Sequence, residues 1–269
     1  MDHIRQALER ARARTGPSEQ HGDAARALVD GGRAERGELV REISLDVRRL
    51  ESNRIIAYDD TDSRTKSFDM LRTQVLQTMD QKNWRLLGVT SPSPGCGKTV
   101  TAINLAFSIA RQPERSALLV DLDLRKPQLS SYLGANCRTG LINMLEGRSN
   151  LLTSTIVVNA ESCRVTVLPV ENSVSDSSVW MTSRAMSDAL NEIKSHFRSH
   201  YVIVDLPPVL TSDDVIAILP QLDCVLLVAA VGKSTAAEVN EASKLLPPGA
   251  VVRLVLNKVP QSDRRYSYY

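Results

Sequence analysis

Two glycines, a lysine and a threonine are crowded into Ser91-Pro92-Ser93-Pro94-Gly95-Cys96-Gly97-Lys98-Thr99. Gly95 and Gly97 let backbone amides curl round an anion where a side chain would obstruct them. Lys98 brings a cation to the same anion, and the Thr99 hydroxyl suits a hard divalent cation such as Mg²⁺. The chemistry expected is binding of ATP with Mg²⁺: Lys98 reaches the β- and γ-phosphates, and residues Pro94 to Val100 make the nucleotide contact. Two further segments carry carboxylates. Leu118-Leu119-Val120-Asp121-Leu122-Asp123-Leu124-Arg125 is an apolar run closing on Asp121 and Asp123, and Tyr201-Val202-Ile203-Val204-Asp205 closes on Asp205. A carboxylate at the tip of a strand beside a phosphate loop can hold Mg²⁺ directly or through water.

Positioning such groups requires strands and helices in alternation. From residue 84 onward, β-branched apolar runs occur at Leu86–Val89, Ala117–Val120, Val165–Leu168, Tyr201–Val204, Val225–Val231 and Val251–Leu256. They are nearly continuous in apolarity, as in strands buried on both faces of a parallel sheet. Between them lie helical faces: Ala102, Leu105, Ala106 and Ile109; Met186, Leu190, Ile193 and Phe197; Val239, Ala242 and Leu246. The expected fold is α/β, a doubly wound, mostly parallel sheet of about seven strands with helices on both faces. Ligands bind such sheets beyond the carboxyl ends of the strands, where Lys98, Asp121 and Asp205 fall.

The chain divides by composition into residues 1–80, 81–260 and 261–269. The first part is rich in Arg, Glu and Ala; Gly31-Gly32 interrupts it, and residues 1–35 read as flexible or weakly helical. Val40, Ile43, Val47 and Leu50 recur at helical spacing, Asp59 to Ser63 reads as a loop, and Leu71, Val75 and Met79 mark a second helix over 68–79. Charges nearly cancel, with 33 Lys and Arg against 31 Asp and Glu, which argues against a domain that coats nucleic acid through bulk charge. No apolar run reaches membrane-spanning length, and the start lacks the apolar stretch of a secretory signal, so cytoplasm is the expected compartment. Cys96, Cys137, Cys163 and Cys224 are scattered without metal-ligand spacing and read as free thiols.

With these motifs in place, the chain resembles the bacterial tyrosine kinases of capsule and exopolysaccharide biosynthesis, within the wider MinD/ParA-like P-loop ATPases. The resemblance runs from about 66 to 258 and rests on Ser-x-x-Pro-Gly-x-Gly-Lys-Thr, Val-Asp-x-Asp-x-Arg and Val-Asp-x-Pro-Pro, similar to Walker A, A′ and B motifs. It extends to Gly140–Gly147, Val167-Leu168-Pro169 and Leu256-Asn257-Lys258. It implies that Asp121 polarises or deprotonates the accepting hydroxyl near Mg²⁺, that Asp123 supports it, that Asp205 holds Mg²⁺ through water, and that Asn257 lies near the adenine. It also implies that Tyr266, Tyr268 and Tyr269, three of the six tyrosines, are phosphate acceptors. Implied partners are a membrane polysaccharide co-polymerase that recruits the chain to the inner face of the membrane, further copies of the chain, and a cognate tyrosine phosphatase; nucleic acid is not among them. The chain departs from the family where Glu-x-x-Arg-x-x-Arg is usual: the positions read Lys66, Asp69 and Arg72. Two other readings stand beside the autokinase: an ATP-driven switch bound to the co-polymerase, and a positioning ATPase, against which the absence of an early P-loop lysine counts.

Overall fold

The computed structural model describes residues 40–198 and 200–260. The chain divides into two compact units, 1–37 and 38–269, and every described residue lies in the second. The expectations for 1–35 and for the tyrosine tail therefore fall outside the described residues.

The strands are β1 (Arg41–Ser44), β2 (Leu86–Thr90), β3 (Ser116–Asp121), β4 (Ile156–Ala160), β5 (Cys163–Leu168), β6 (His200–Asp205), β7 (Cys224–Ala230) and β8 (Val251–Asn257). They form one sheet in the order β1-β4-β5-β3-β6-β2-β7-β8. Every pairing is parallel except the β4–β5 hairpin. The helices are α1 (Val47–Ser52), α2 (Lys66–Gln81), α3 (Lys98–Ala110), α4 (Leu129–Leu133), α5 (Leu141–Leu145), α6 (Leu151–Ser154), α7 (Ser177–Met181), α8 (Arg184–His196), α9 (Asp214–Ile218) and α10 (Ala236–Leu245). Because β3 and β2 flank β6, the chain crosses over β6 between them, and the carboxyl ends of these three strands open into one crevice. The register puts Asp121 of β3 directly beside Asp205 of β6, and Asp205 beside Val89 of β2.

Local chemistry sets the helix ends. Gly97, at φ 90°, caps α3 in a conformation that disfavours any side chain. The Ser183 hydroxyl accepts from the Met186 amide at the start of α8, and Thr235 with Glu238 form a capping box on α10. The core joins Leu87, Val89, Leu119, Ile203, Leu226 and Val228 of the sheet to Ile103, Phe107 and Ile109 of α3 and Val75 and Met79 of α2. At about 25 cal/mol per Å² of apolar surface removed from water, this burial dominates the stability of the fold.

Four features depart from expectation. The sheet has eight strands, because Ile156–Ala160 turns back on β5 through Glu161-Ser162 with Glu161 at φ 52°; the usual glycine or asparagine of such turns is missing from the sequence. The helical stripe Val40–Leu50 is divided: Arg41–Ser44 joins the sheet beside β4, and α1 starts only after Asp46, whose carboxylate accepts from the Arg48 amide. Residues 55–58, in a stretch whose composition reads as helical arms, form a buried strap instead. Its polar groups are met by Asn104 of α3, which accepts from Ile56 N (2.8 Å) and Ala57 N (3.0 Å) and donates to the Arg54 carbonyl (3.0 Å) and the Val100 carbonyl (2.8 Å). Finally, β8 is an edge strand, and Leu254 and Leu256 are 56% and 60% exposed instead of being covered on both faces. Among the described residues, no helix is long and apolar enough to cross a membrane.

Candidate nucleotide site

The loop after β2 is fastened on both sides. On one, Thr90 Oγ1 donates to the Pro207 carbonyl (2.6 Å), while Val209 N and Leu210 N donate to the carbonyls of Ser91 (2.9 Å) and Pro92 (3.2 Å). On the other, Asn257 Nδ2 donates to the Cys96 carbonyl (3.0 Å) and Lys258 Nζ to the Gly95 carbonyl (2.6 Å). With these carbonyls tied outward, the loop is held in the shape a phosphate cradle needs. Gly95 and Gly97 have φ of 79° and 90°, and a Cβ on Gly97 would stand 2.3 Å from Asn257 Nδ2. The Cys96 thiol is buried, 3.1 Å from the Ser93 carbonyl and 3.3 Å from Ser234 Oγ. Thus Asn257 braces the loop from the end of β8, and Lys258, which sequence reasoning quoted but gave no role, braces it too.

Below the loop sits a buried charge cluster. Lys98 Nζ is 2.9 Å from Asp123 Oδ2, 3.5 Å from Asp205 Oδ1 and 3.3 Å from Thr99 Oγ1. Thr99 Oγ1 donates to Asp205 Oδ2 at 2.7 Å. Burial works to lower the Lys98 pKa, but the charges of Asp205 and Asp123 outweigh it and raise it, so the ammonium is retained. Asp205 is fully buried; desolvation pushes its pKa up against the opposing pull of Lys98. Its Oδ1 has no hydrogen-bond partner. With only the Lys98 ammonium near it, at 3.5 Å, this buried oxygen lacks a hydrogen bond, which is costly, and a hydrated divalent cation beside Thr99 would supply one. The donor set therefore fits Mg²⁺. Among the described residues no group of three His, Cys, Asp or Glu could hold a metal alone, so such an ion would draw ligands from the Thr99 hydroxyl and from phosphate oxygens.

Asp121 is used differently from its neighbours. Its carboxylate accepts from Asp123 N (3.1 Å), Gln128 N (3.1 Å) and Leu129 N (3.2 Å), so it fastens the turn leading to α4. Desolvation and then the charge of Asp205 push its pKa from 3.8 to about 8, so without a bound cation it holds its proton at neutral pH, and it becomes a base only where a cation beside it draws that pKa down. Lys98, Thr99, Asp121, Asp123 and Asp205 are thus brought together, and Pro94 to Val100 with Asn257 form the loop above them. Tyr266, Tyr268 and Tyr269 lie outside the described residues. The strap-holding Asn104 was missed by sequence reasoning; its only signal was a polar residue within an apolar helical face.

An ammonium seated among strand-tip carboxylates, under a loop with two glycines at positive φ, is the arrangement of a P-loop nucleotide site. The AAA domain family matches residues 85–245. Tyrosine-protein kinase CpsD of Streptococcus pneumoniae serotype 4 is 31% identical over 186 residues, covering 68% of this chain and 79% of that protein. Tyrosine-protein kinase ptk of Acinetobacter johnsonii is 26% identical over 231 residues, covering 84% of this chain and 31% of that protein. The crystal structure of the chimerical protein CapA2B2 superposes with a TM-score of 0.70 at 25% identity, covering 82% of this chain and 94% of that one. The chain belongs to the AAA-domain P-loop family and, within it, to the bacterial tyrosine-protein kinases. It spans 27% to 32% of the length of the longer curated relatives it matches.

Proposed function

We propose that this chain is an ATP-dependent protein-tyrosine autokinase that regulates polymerisation or export of a capsule or exopolysaccharide. The observation that carries the reading is the buried Lys98 ammonium between Asp123 and Asp205, where one Asp205 oxygen meets the ammonium at 3.5 Å and makes no hydrogen bond. Bound Mg²⁺ would neutralise charge on the β- and γ-phosphates. Lys98 leaves its carboxylates to meet the γ-phosphate, and the loop amides hold the remaining oxygens. Asp121 accepts the phenolic proton; the phenol oxygen bonds to the γ-phosphorus, the bond to the β-phosphate oxygen breaks, and ADP leaves. Positioning and preset charge supply most of the acceleration. The acceptors are Tyr266, Tyr268 and Tyr269, and residues Pro94 to Val100 with Asn257 hold the nucleotide.

In this reading the chain works in the cytoplasm, recruited to the inner face of the membrane by a polysaccharide co-polymerase, and a tyrosine phosphatase reverses its state. One observation favours the ATP-driven switch as a second reading. Asp69 of α2 is committed internally, to Arg111 (2.5 and 2.6 Å), Ser108 Oγ (2.7 Å) and Arg72 (2.9 Å). Arg72 also donates to the Ser108 carbonyl (3.0 Å). Self-association through these side chains would first have to break that cluster. Intact mass of the protein from its native host, beside a Lys98→Met form, tests the reading. Phosphate increments lost in the variant and mapped to the tail are expected. One unmodified mass in both, under polymer-producing conditions, would refute autokinase activity and leave the switch.

A further inference from the structure

Two residues after Asp123 the chain presents Arg125, 47% exposed at its side chain, on an unusual support. Its Nε donates to Ser177 Oγ of α7 at 2.6 Å. Ser177 is fully buried, and its hydroxyl donates in turn to Asp214 Oδ2 of α9 at 2.7 Å. Asp214 is fully buried as well, with Oδ2 3.7 Å from Arg125 Nε, and its Oδ1 makes no hydrogen bond among the described residues. A solvated arginine needs no such backing, since exposed ion pairs contribute little. Burying a carboxylate with one unpaired oxygen costs stability, and its effect is to fix the guanidinium by its Nε edge.

The direction left open is informative. The terminal nitrogens of Arg125 make no hydrogen bond among the described residues; one of them lies 3.9 Å from the exposed carboxylate of Asp213. A planar fork with two free donors matches the oxygens of a phosphate. Its place matches the site. Lys126 N donates to the Asp123 carbonyl (3.0 Å) and to Asp123 Oδ1 (3.2 Å), so Arg125 lies inside a turn whose first residue contacts Lys98. The segment that leads to Asp214 is the one fastened to Ser91 and Pro92 of the phosphate loop. Arg125 therefore lies between two segments that are each tied to the phosphate loop or its lysine.

We propose that Arg125 is the residue that binds the phosphate of a phosphotyrosyl segment, and that the buried Ser177–Asp214 pair is its positioning device. This rests on the tyrosine-kinase reading for its ligand class, but not for its test. The dianionic aryl phosphate displaces Asp213 and takes both terminal nitrogens. An unmodified tyrosine, with a single neutral oxygen, cannot, so the subsite favours the phosphorylated form of the tail.

The test is fluorescence anisotropy on the full chain. The probes are a labelled peptide of residues 261–269 phosphorylated on Tyr268 and its unphosphorylated counterpart. The wild type should prefer the phosphorylated peptide, and Arg125→Ala should reduce that preference about tenfold, the worth of a charge-assisted hydrogen-bond pair. Arg125→Lys, which keeps the charge but loses the fork, should restore only part of it. Ser177→Ala should reduce it about threefold, while Ser177→Thr, which keeps the hydroxyl, should retain it. Arg184→Ala, an exposed arginine on α8, is the control and should change nothing. A phosphopeptide preference that survives Arg125→Ala, or that the wild type lacks, overturns the proposal. So does displacement by inorganic phosphate as effective as by phosphopeptide at equal concentration. No turnover is needed: a wild type that forms no phosphotyrosine refutes the kinase reading and leaves the peptide preference still measurable.

Discussion

Asn104→Ala removes four hydrogen bonds from one place. Two of them satisfy the amides of Ile56 and Ala57 inside the strap, where Ile55, Ile56, Ala57 and Tyr58 are all buried. Alanine leaves both amides without an acceptor and the strap too closely packed for them to turn outward. A buried donor stranded in this way costs about 1–3 kcal/mol, so the two together should cost roughly 2–6 kcal/mol, with ~3 kcal/mol a central value. The two lost donations, to the carbonyls of Arg54 and Val100, add less, because a carbonyl tolerates a lost partner better than an amide does. For a chain of this size ~3 kcal/mol corresponds to a fall in Tm of about 6–12 °C. Urea unfolding gives the total, and a lower midpoint at unchanged slope is expected. Amide hydrogen exchange locates the effect: Ile56 and Ala57 should lose protection far more than the strands β3 and β6. A loss below about 1 kcal/mol, or wild-type protection at these two amides, would show that the strap is not held by Asn104.

Gly97→Ala should abolish measurable binding of a fluorescent ATP analogue, because the position needs φ 90° and its Cβ would meet Asn257 Nδ2 at 2.3 Å; adding Asn257→Ala relieves the clash but not the backbone strain, and full recovery in the double variant would refute the backbone argument. The pH dependence of stability should carry the mark of Asp121. Its folded pKa is raised from 3.8 to about 8, so its contribution is fully present below pH 3.8 and is lost as pH rises through about 8. Urea midpoints of the nucleotide-free protein should therefore fall from pH 5 to pH 8, and the fall should be shallower in Asp121→Asn whatever its offset; equal slopes would contradict the buried, protonatable carboxyl.

What could be read from the chain alone follows from how local each signal is. Lys98 was legible from the spacing of Gly95, Gly97 and Thr99 around it, and Asp205 because a strand's apolar run ends where its tip begins, and a tip in a parallel sheet faces the crevice. The adjacency of Asp121 and Asp205 needed only the strand order β3-β6. The strand β4 was not legible, because Glu161-Ser162 carries no glycine, proline or asparagine to mark a tight turn. Val40, Ile43, Val47 and Leu50 fit a helical period by coincidence of a strand and a short helix joined at Leu45-Asp46, and no single-residue preference outweighs pairing with β4. The strap and the Ser177–Asp214 pair were beyond reach for another reason: their partners lie 47 and 37 residues apart in the chain, and nothing local announces such a meeting. Asp121 was singled out as a strand-tip carboxylate, but its grip on the Gln128 and Leu129 amides shows only in three dimensions.

The last strand has a mechanical consequence. Asn257 and Lys258 grip the carbonyls of Cys96 and Gly95, and the backbone turns sharply at Lys258, with φ 58°, before it runs on past Pro260 toward the tyrosines. Tension on that outgoing chain is carried first by these two side chains and through them by the ribbon that cradles phosphate. A pull on the chain at Lys258 is thus felt first at residues 95 and 96 of the loop.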